Sequence, residues 1–112
     1  MKYPELLKKN DAIGVCAPSS GLSKELWNQL DRAKSNVENL GYKIMETGSV
    51  RSNAKCISAD AKTRAEEFMG LYTNDDVKLI LPPWGGEFLM DILPHLDFDQ
   101  IKESEPKWLA GY

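Results

Sequence analysis

A chain of 112 residues, 42% hydrophobic and 28% charged, is long enough to bury about two-thirds of its surface around one core and too apolar for a disordered tail. Fourteen Lys and Arg against seventeen Asp and Glu leave a net charge of −3, which argues against the basic face that sequence-independent nucleic-acid binding needs. The apolar runs fall far short of the roughly 20 residues of a membrane helix, and residues 1–9 lack the apolar stretch of a signal peptide.

Residues 12–17 form a continuous apolar run between Asn10-Asp11 and Pro18-Ser19-Ser20-Gly21. Turn signals at both ends of so short a run predict a fully buried strand. Ser23 is a candidate N-cap, and Leu26, Leu30, Ala33, Val37 and Leu40 then recur at spacings of four, three, four and three. That spacing predicts a helix with one apolar face. Gly41 follows where a left-handed cap belongs. Residues 42–47 read as a second strand and the polar stretch 48–56 as a loop. A second helix is expected from about residue 60 to 72, with Ala61, Ala65, Phe68, Met69 and Tyr72 inward. Residues 77–81 form a third strand, stopped by Pro82 and Pro83, neither of which donates to a sheet ladder. A third helix is expected over 87–93, a further helical turn or two over 97–102, and a fourth strand over 107–111. Strands alternating with helices through short connections predict an α/β fold: a mostly parallel sheet with helices on both faces and right-handed crossovers.

Ligands of open parallel sheets bind beyond the carboxyl ends of the strands. Residues 18–21 and 82–87 occupy that edge, as does whatever follows Gly111-Tyr112. Gly85-Gly86 lies between a strand and an expected helix, so its amides are placed to face an anion or a developing oxyanion. The pair reads equally well as a tight turn needing positive φ. Neither G-x-G-x-x-G nor G-x-x-x-x-G-K-[ST] occurs, which leaves nucleotide binding without support. Trp84 is the aromatic candidate for lining a pocket. Ser19 and Ser20 suit either a ligand or the cap of the following helix. His95, the single histidine, reads as a surface or capping residue. Cys16 lies inside the first strand and reads as a small hydrophobe. Cys56 has no nearby cationic cluster to make it a nucleophile. The cysteines stand forty positions apart without C-x-x-C or Cys/His spacing, so no metal, cofactor or disulfide is expected.

In order along the chain, residues 7–21, Arg32-Ala33, Leu40-Gly41-Tyr42, Ser58-Ala59 and Arg64-Ala65-Glu66-Glu67 resemble the LD-carboxypeptidase family of serine peptidases, which includes the microcin C immunity proteins. Gly85-Gly86-Glu87, residues 93–98 and Gly111-Tyr112 complete the resemblance, and Trp84 beside the glycine pair resembles the immunity-protein branch. The resemblance implies a flavodoxin-like three-layer α/β sandwich as N-terminal domain, followed by a β-rich C-terminal domain absent from this chain. It also implies a Ser-Glu-His triad spanning the two, with the serine on a strand-to-helix elbow. Gly111-Tyr112 match the first half of that elbow, and the nucleophile is expected directly after Tyr112. No catalytic residue is therefore expected in this chain, and His95 is not the triad histidine. Gly85, Gly86, Glu87 and Trp84 resemble the oxyanion-side and substrate-binding loop, with Ser19 and Ser20 on the active-site rim.

These readings together imply a cytoplasmic serine carboxypeptidase that cleaves an amide next to a C-terminal residue, in a murein peptide or a peptidyl-nucleotide antibiotic. Its partners would be the peptide-like substrate, the C-terminal domain and possible homodimer contacts through an uncovered sheet edge or apolar face. No nucleic acid or membrane partner is expected. The alternative is a stand-alone flavodoxin-like binding or regulatory module without catalysis. A glutamine-amidotransferase-like reading lacks a cysteine at a strand-to-helix elbow.

Overall fold

The computed structural model describes residues 1–111. Four strands, β1 (Ala12–Val15), β2 (Lys43–Glu46), β3 (Val77–Ile80) and β4 (Trp108–Leu109), alternate with helices α1 (Trp27–Asn39), α2 (Ala61–Tyr72) and α3 (Phe98–Glu103). Every strand pair is parallel, in the order β2-β1-β3-β4. The expected α/β architecture holds, and this order is the one with which flavodoxin-like sheets begin.

β1 lies at the centre, its Ile13 registered with Ile44 on one side and Leu79 on the other. All four of its residues are buried, as an unbroken apolar run requires when helices cover both faces. The pleat divides the side chains between two cores. Ala12 and Cys16 pack with Phe68, Leu71, Val77 and Ile80 on the α2 face, joined by Leu96 and Ile101. Val15 and Ala17 pack with Leu22, Leu30 and Val50 on the α1 face.

The two faces are covered unequally. α2 shares its side with the chain leading into β4, whereas α1 stands alone. Leu30 is the one buried residue of α1, and Leu40, at the end of its apolar stripe, is 68% exposed. A groove of about 410 Å³ opens between α1 and the sheet, lined by Leu26, Leu30, Val37, Ile44, Leu81 and Trp84 among others.

Helix ends follow local chemistry with two exceptions. Asp60 and Asp97 cap α2 and α3 by accepting from Thr63 N and Gln100 N, and Gly41 follows α1 at φ 99°. Ser23, expected to cap the first helix, instead precedes a 3-10 turn at Lys24–Leu26 and makes no side-chain cap; α1 starts at Trp27. The third helix, expected over 87–93, is a 3-10 segment at Leu89–His95 that contains Pro94.

Candidate functional site

The β1-α1-β2 unit runs to one side of β1, and β2-α2-β3 returns past it, so the chain reverses direction between β1 and β3. Loops leaving β1 and β3 therefore flank a topological switch point, where parallel sheets form their binding crevice. There the two loops named by the sequence meet. Phe88 N–H donates to Ser19 Oγ at 2.9 Å. Gly86 has φ 149°, and a Cβ on it would collide with Ser19 Oγ and lie 2.6 Å from Ser20 Oγ. Glycine is thus required at 86 both for its backbone angle and for space. Around Gly85 a Cβ would meet nothing within 4 Å.

Ser19 and Ser20, expected on the active-site rim, lie directly against the glycine loop. Both are buried, because the connection from β2 to α2 folds over them. Leu22 N–H donates to Val50 O at 2.7 Å and Ser58 N–H to Ser19 O at 3.0 Å. Ser20 Oγ donates to Cys56 O at 2.7 Å, and Ser58 Oγ to Ala17 O at 2.6 Å. The serines form the floor on which the glycine loop rests.

The 3-10 geometry after that loop has a tertiary cause. Phe88 is held at both ends of its backbone, its N–H by Ser19 and its carbonyl by Arg64 Nη2 at 3.0 Å, and Pro94 has no N–H to offer a helix. Gly85-Gly86 consequently does not open an α-helix. Any charge stabilisation there must come from the loop amides themselves rather than from a helix dipole. Glu87 is exposed and precedes the helical turn, so it is not a first-turn acid. His95 is exposed at the C-terminal end of the 3-10 segment.

Trp84, 53% exposed, lines the α1-side groove. Gly111 has φ 103°, and a Cβ on it would lie 3.5 Å from Pro82 Cδ. It borders a second apolar groove of about 280 Å³, shared with Pro18, Pro82, Ile92 and Leu109. Apolar grooves therefore flank the strand-end edge on both faces. Tyr112 lies outside the described residues. Cys16 is buried, and desolvation, reinforced by the Glu67 charge, pushes its thiol up to about 12; it packs as a hydrophobe. Cys56 is exposed. Among the described residues, no cluster of His, Cys, Asp or Glu is placed to hold a metal, and no helix is long and apolar enough to cross a membrane.

Arg64 is the residue that element-by-element reading passes over. It sits on α2, 2% exposed, and donates to three backbone carbonyls: Pro18 at 2.8 Å, Ala59 at 2.6 Å and Phe88 at 3.0 Å. A signal for it exists. Arg64 stands four residues before Phe68 and seven before Leu71, on the inward stripe of α2.

A family model for the N-terminal domain of LD-carboxypeptidases matches residues 13–112. The chain belongs to the LD-carboxypeptidase family. It is 30% identical over 112 residues to a Vibrio cholerae protein that carries a carboxypeptidase name, matching 100% of this chain and 33% of that one. Over 106 residues it is 29% identical to the microcin C7 self-immunity protein MccF of Escherichia coli, covering 95% of this chain and 30% of MccF. The MccF structure superposes at a TM-score of 0.87 and 28% identity, covering 100% of this chain and 32% of that one; MccF has also been solved in complex with aspartyl sulfamoyl adenosine. A muramoyltetrapeptide carboxypeptidase from Oxalobacter formigenes matches at a TM-score of 0.72 and 26% identity, covering 88% of this chain and 31% of that one. The chain thus spans about a third of the length of the relatives it matches.

Proposed function

We propose that this chain is the oxyanion-side, N-terminal domain of a serine LD-carboxypeptidase. The enzyme hydrolyses the amide next to a C-terminal residue, in a murein-derived peptide or an aminoacyl-nucleotide conjugate. The observation that carries the reading is the meeting of Gly86 with the β1 loop at the switch point, in a chain whose family match runs from residue 13 to 112. The MccF complex with an aspartyl sulfamoyl nucleoside and the muramoyltetrapeptide carboxypeptidase supply the two substrate classes.

The roles are those the family resemblance implies, and the placement of the glycine loop supports them. Gly86, with Gly85, offers backbone N–H groups to the oxyanion that forms as a serine attacks the scissile carbonyl; such donors act without reorganising because the loop is fixed beforehand. Trp84 and Glu87 contact the substrate beside it. Gly111, in a left-handed conformation against Pro82, starts the elbow that presents the nucleophile after Tyr112. A glutamate and a histidine from a second domain complete the triad, the histidine taking the serine proton and the glutamate orienting the histidine. The uncovered apolar face beside α1 is where we place contact with further polypeptide, either that second domain or a second copy. The reading puts the enzyme in the cytoplasm.

The test compares two proteins on an L,D-tetrapeptide and on an aspartyl sulfamoyl nucleoside. The 112-residue chain should release no product, and the longer protein carrying it should hydrolyse one of the two. Loss of that activity when the serine after Tyr112 is replaced by alanine supports the reading. Hydrolysis by the 112-residue chain, or none by the longer protein, overturns it.

A further inference from the structure

We propose that Arg64 is a positioning residue: together with Ser19 it fixes the backbone of Phe88 and thereby sets the orientation of the Gly86 amide. Three connections converge on one guanidinium. Pro18 follows β1, Ala59 precedes α2 and Phe88 follows β3, and each gives its carbonyl to a different nitrogen of Arg64. Among the described residues no carboxylate lies within ion-pair distance of it.

Burying an arginine without an acid costs free energy that an apolar residue at the same place would not. What the guanidinium provides is directional. It is a planar fork with five donors, so it reaches three acceptors at once. A lysine carries the same charge on a single flexible point and cannot reproduce that fork.

Phe88 shows where the direction goes. Its carbonyl accepts from Arg64 while its N–H donates to Ser19 Oγ, and the Ser19 carbonyl is in turn fixed by Ser58 N–H. Two residues upstream, Gly86 is pressed against both serine hydroxyls at φ 149°. The peptide units between 86 and 88 are therefore bounded by the serine floor at one end and by the guanidinium at the other. The Gly86 Cα is fixed with them, and the Gly86 N–H, in the peptide unit just upstream, is aimed from it through the φ of 149°.

The inference rests on the proposed function only for its catalytic consequence, so its first test needs no activity. In the 15N-labelled 112-residue chain, Arg64→Lys should speed hydrogen exchange at Phe88, whose N–H is bonded to Ser19 Oγ, about tenfold, the scale of one lost hydrogen bond in a local opening. It should also lower the relaxation order parameter of the Gly86 N–H from the rigid range of about 0.85 to below about 0.6. Exchange at Ile13 and Ile80, in the central strands, should stay within about twofold of wild type. A purely structural role would accelerate strand and loop amides together, and that result, or an unchanged loop, overturns the proposal. Should Arg64→Lys fail to fold, the wild-type chain decides: a Gly86 N–H with an order parameter as high as those of Ile13 and Ile80 bears the proposal out, and a mobile one overturns it. In the longer protein, Arg64→Lys should lower kcat about 10- to 100-fold with KM nearly unchanged, the signature of misplaced transition-state groups. A wild-type protein inactive on both substrates sinks the proposed function and leaves the exchange result standing.

Discussion

Gly86 lies against the buried hydroxyl of Ser19 so closely that a Cβ at 86 would collide with it, and the same oxygen accepts the N–H of Phe88 at 2.9 Å. One side chain leaving β1 thus dictates both the absence of a side chain after β3 and the course of the chain two residues later. The contact locks together the strand ends on either side of the switch point.

The two glycines of the pair should respond oppositely to alanine. Gly86→Ala meets the two serine hydroxyls and a backbone angle that L-residues avoid, a combination expected to cost about 2–4 kcal/mol. Gly85→Ala enters open space at an ordinary angle and should stay within about 0.5 kcal/mol of wild type. Urea unfolding of both variants checks this, and equal midpoints would refute it.

A charge network on the α1 side makes stability depend on acid. Arg51 bonds Glu46 at 2.9 Å and also Asp31, while Lys34 reaches Glu46 at 2.9 Å. The Arg51 guanidinium, outweighing partial burial and helped by Lys34, holds the Glu46 carboxyl below its ordinary 4.5. A carboxylate with a lowered folded value stabilises above its unfolded value and loses that contribution as pH falls through the folded one. Solvent screening limits the effect to about 1 kcal/mol or less. Glu46→Gln should therefore be less stable at neutral pH and converge with wild type as the pH drops from roughly 5 to 3. Stability curves that stay parallel across that interval would count against the network.

The two thiols should differ in reactivity. Cys16 is buried with its thiol pushed up to about 12, whereas Cys56 is exposed. Since the thiolate is the reactive form, iodoacetamide at mildly alkaline pH should add one group to the native chain, on Cys56, and two after unfolding in urea. Mass mapping of the label to native Cys16 would contradict the packing described.

Amino-acid order alone determined much of this protein. The β1 run, the stripes of α1 and α2, the Pro82-Pro83 stop and the glycine after α1 are local signals, written in neighbouring residues because burial repeats with the period of each element. The parallel sheet follows from their alternation, and the family from motifs in sequence. Tertiary structure decided what periodicity does not encode. Ser19 meets Phe88 across 69 positions and Arg64 meets Pro18 across 46. Hydrogen bonds between such distant points leave no repeating trace in the chain. Together with Pro94 they turned the expected third helix into a 3-10 segment, and they put the serines beneath the glycine loop and drew a buried arginine to three carbonyls. The stripe of α1 announced an apolar face, but whether that face is covered depends on what else packs there, and beside α1 a groove stays open.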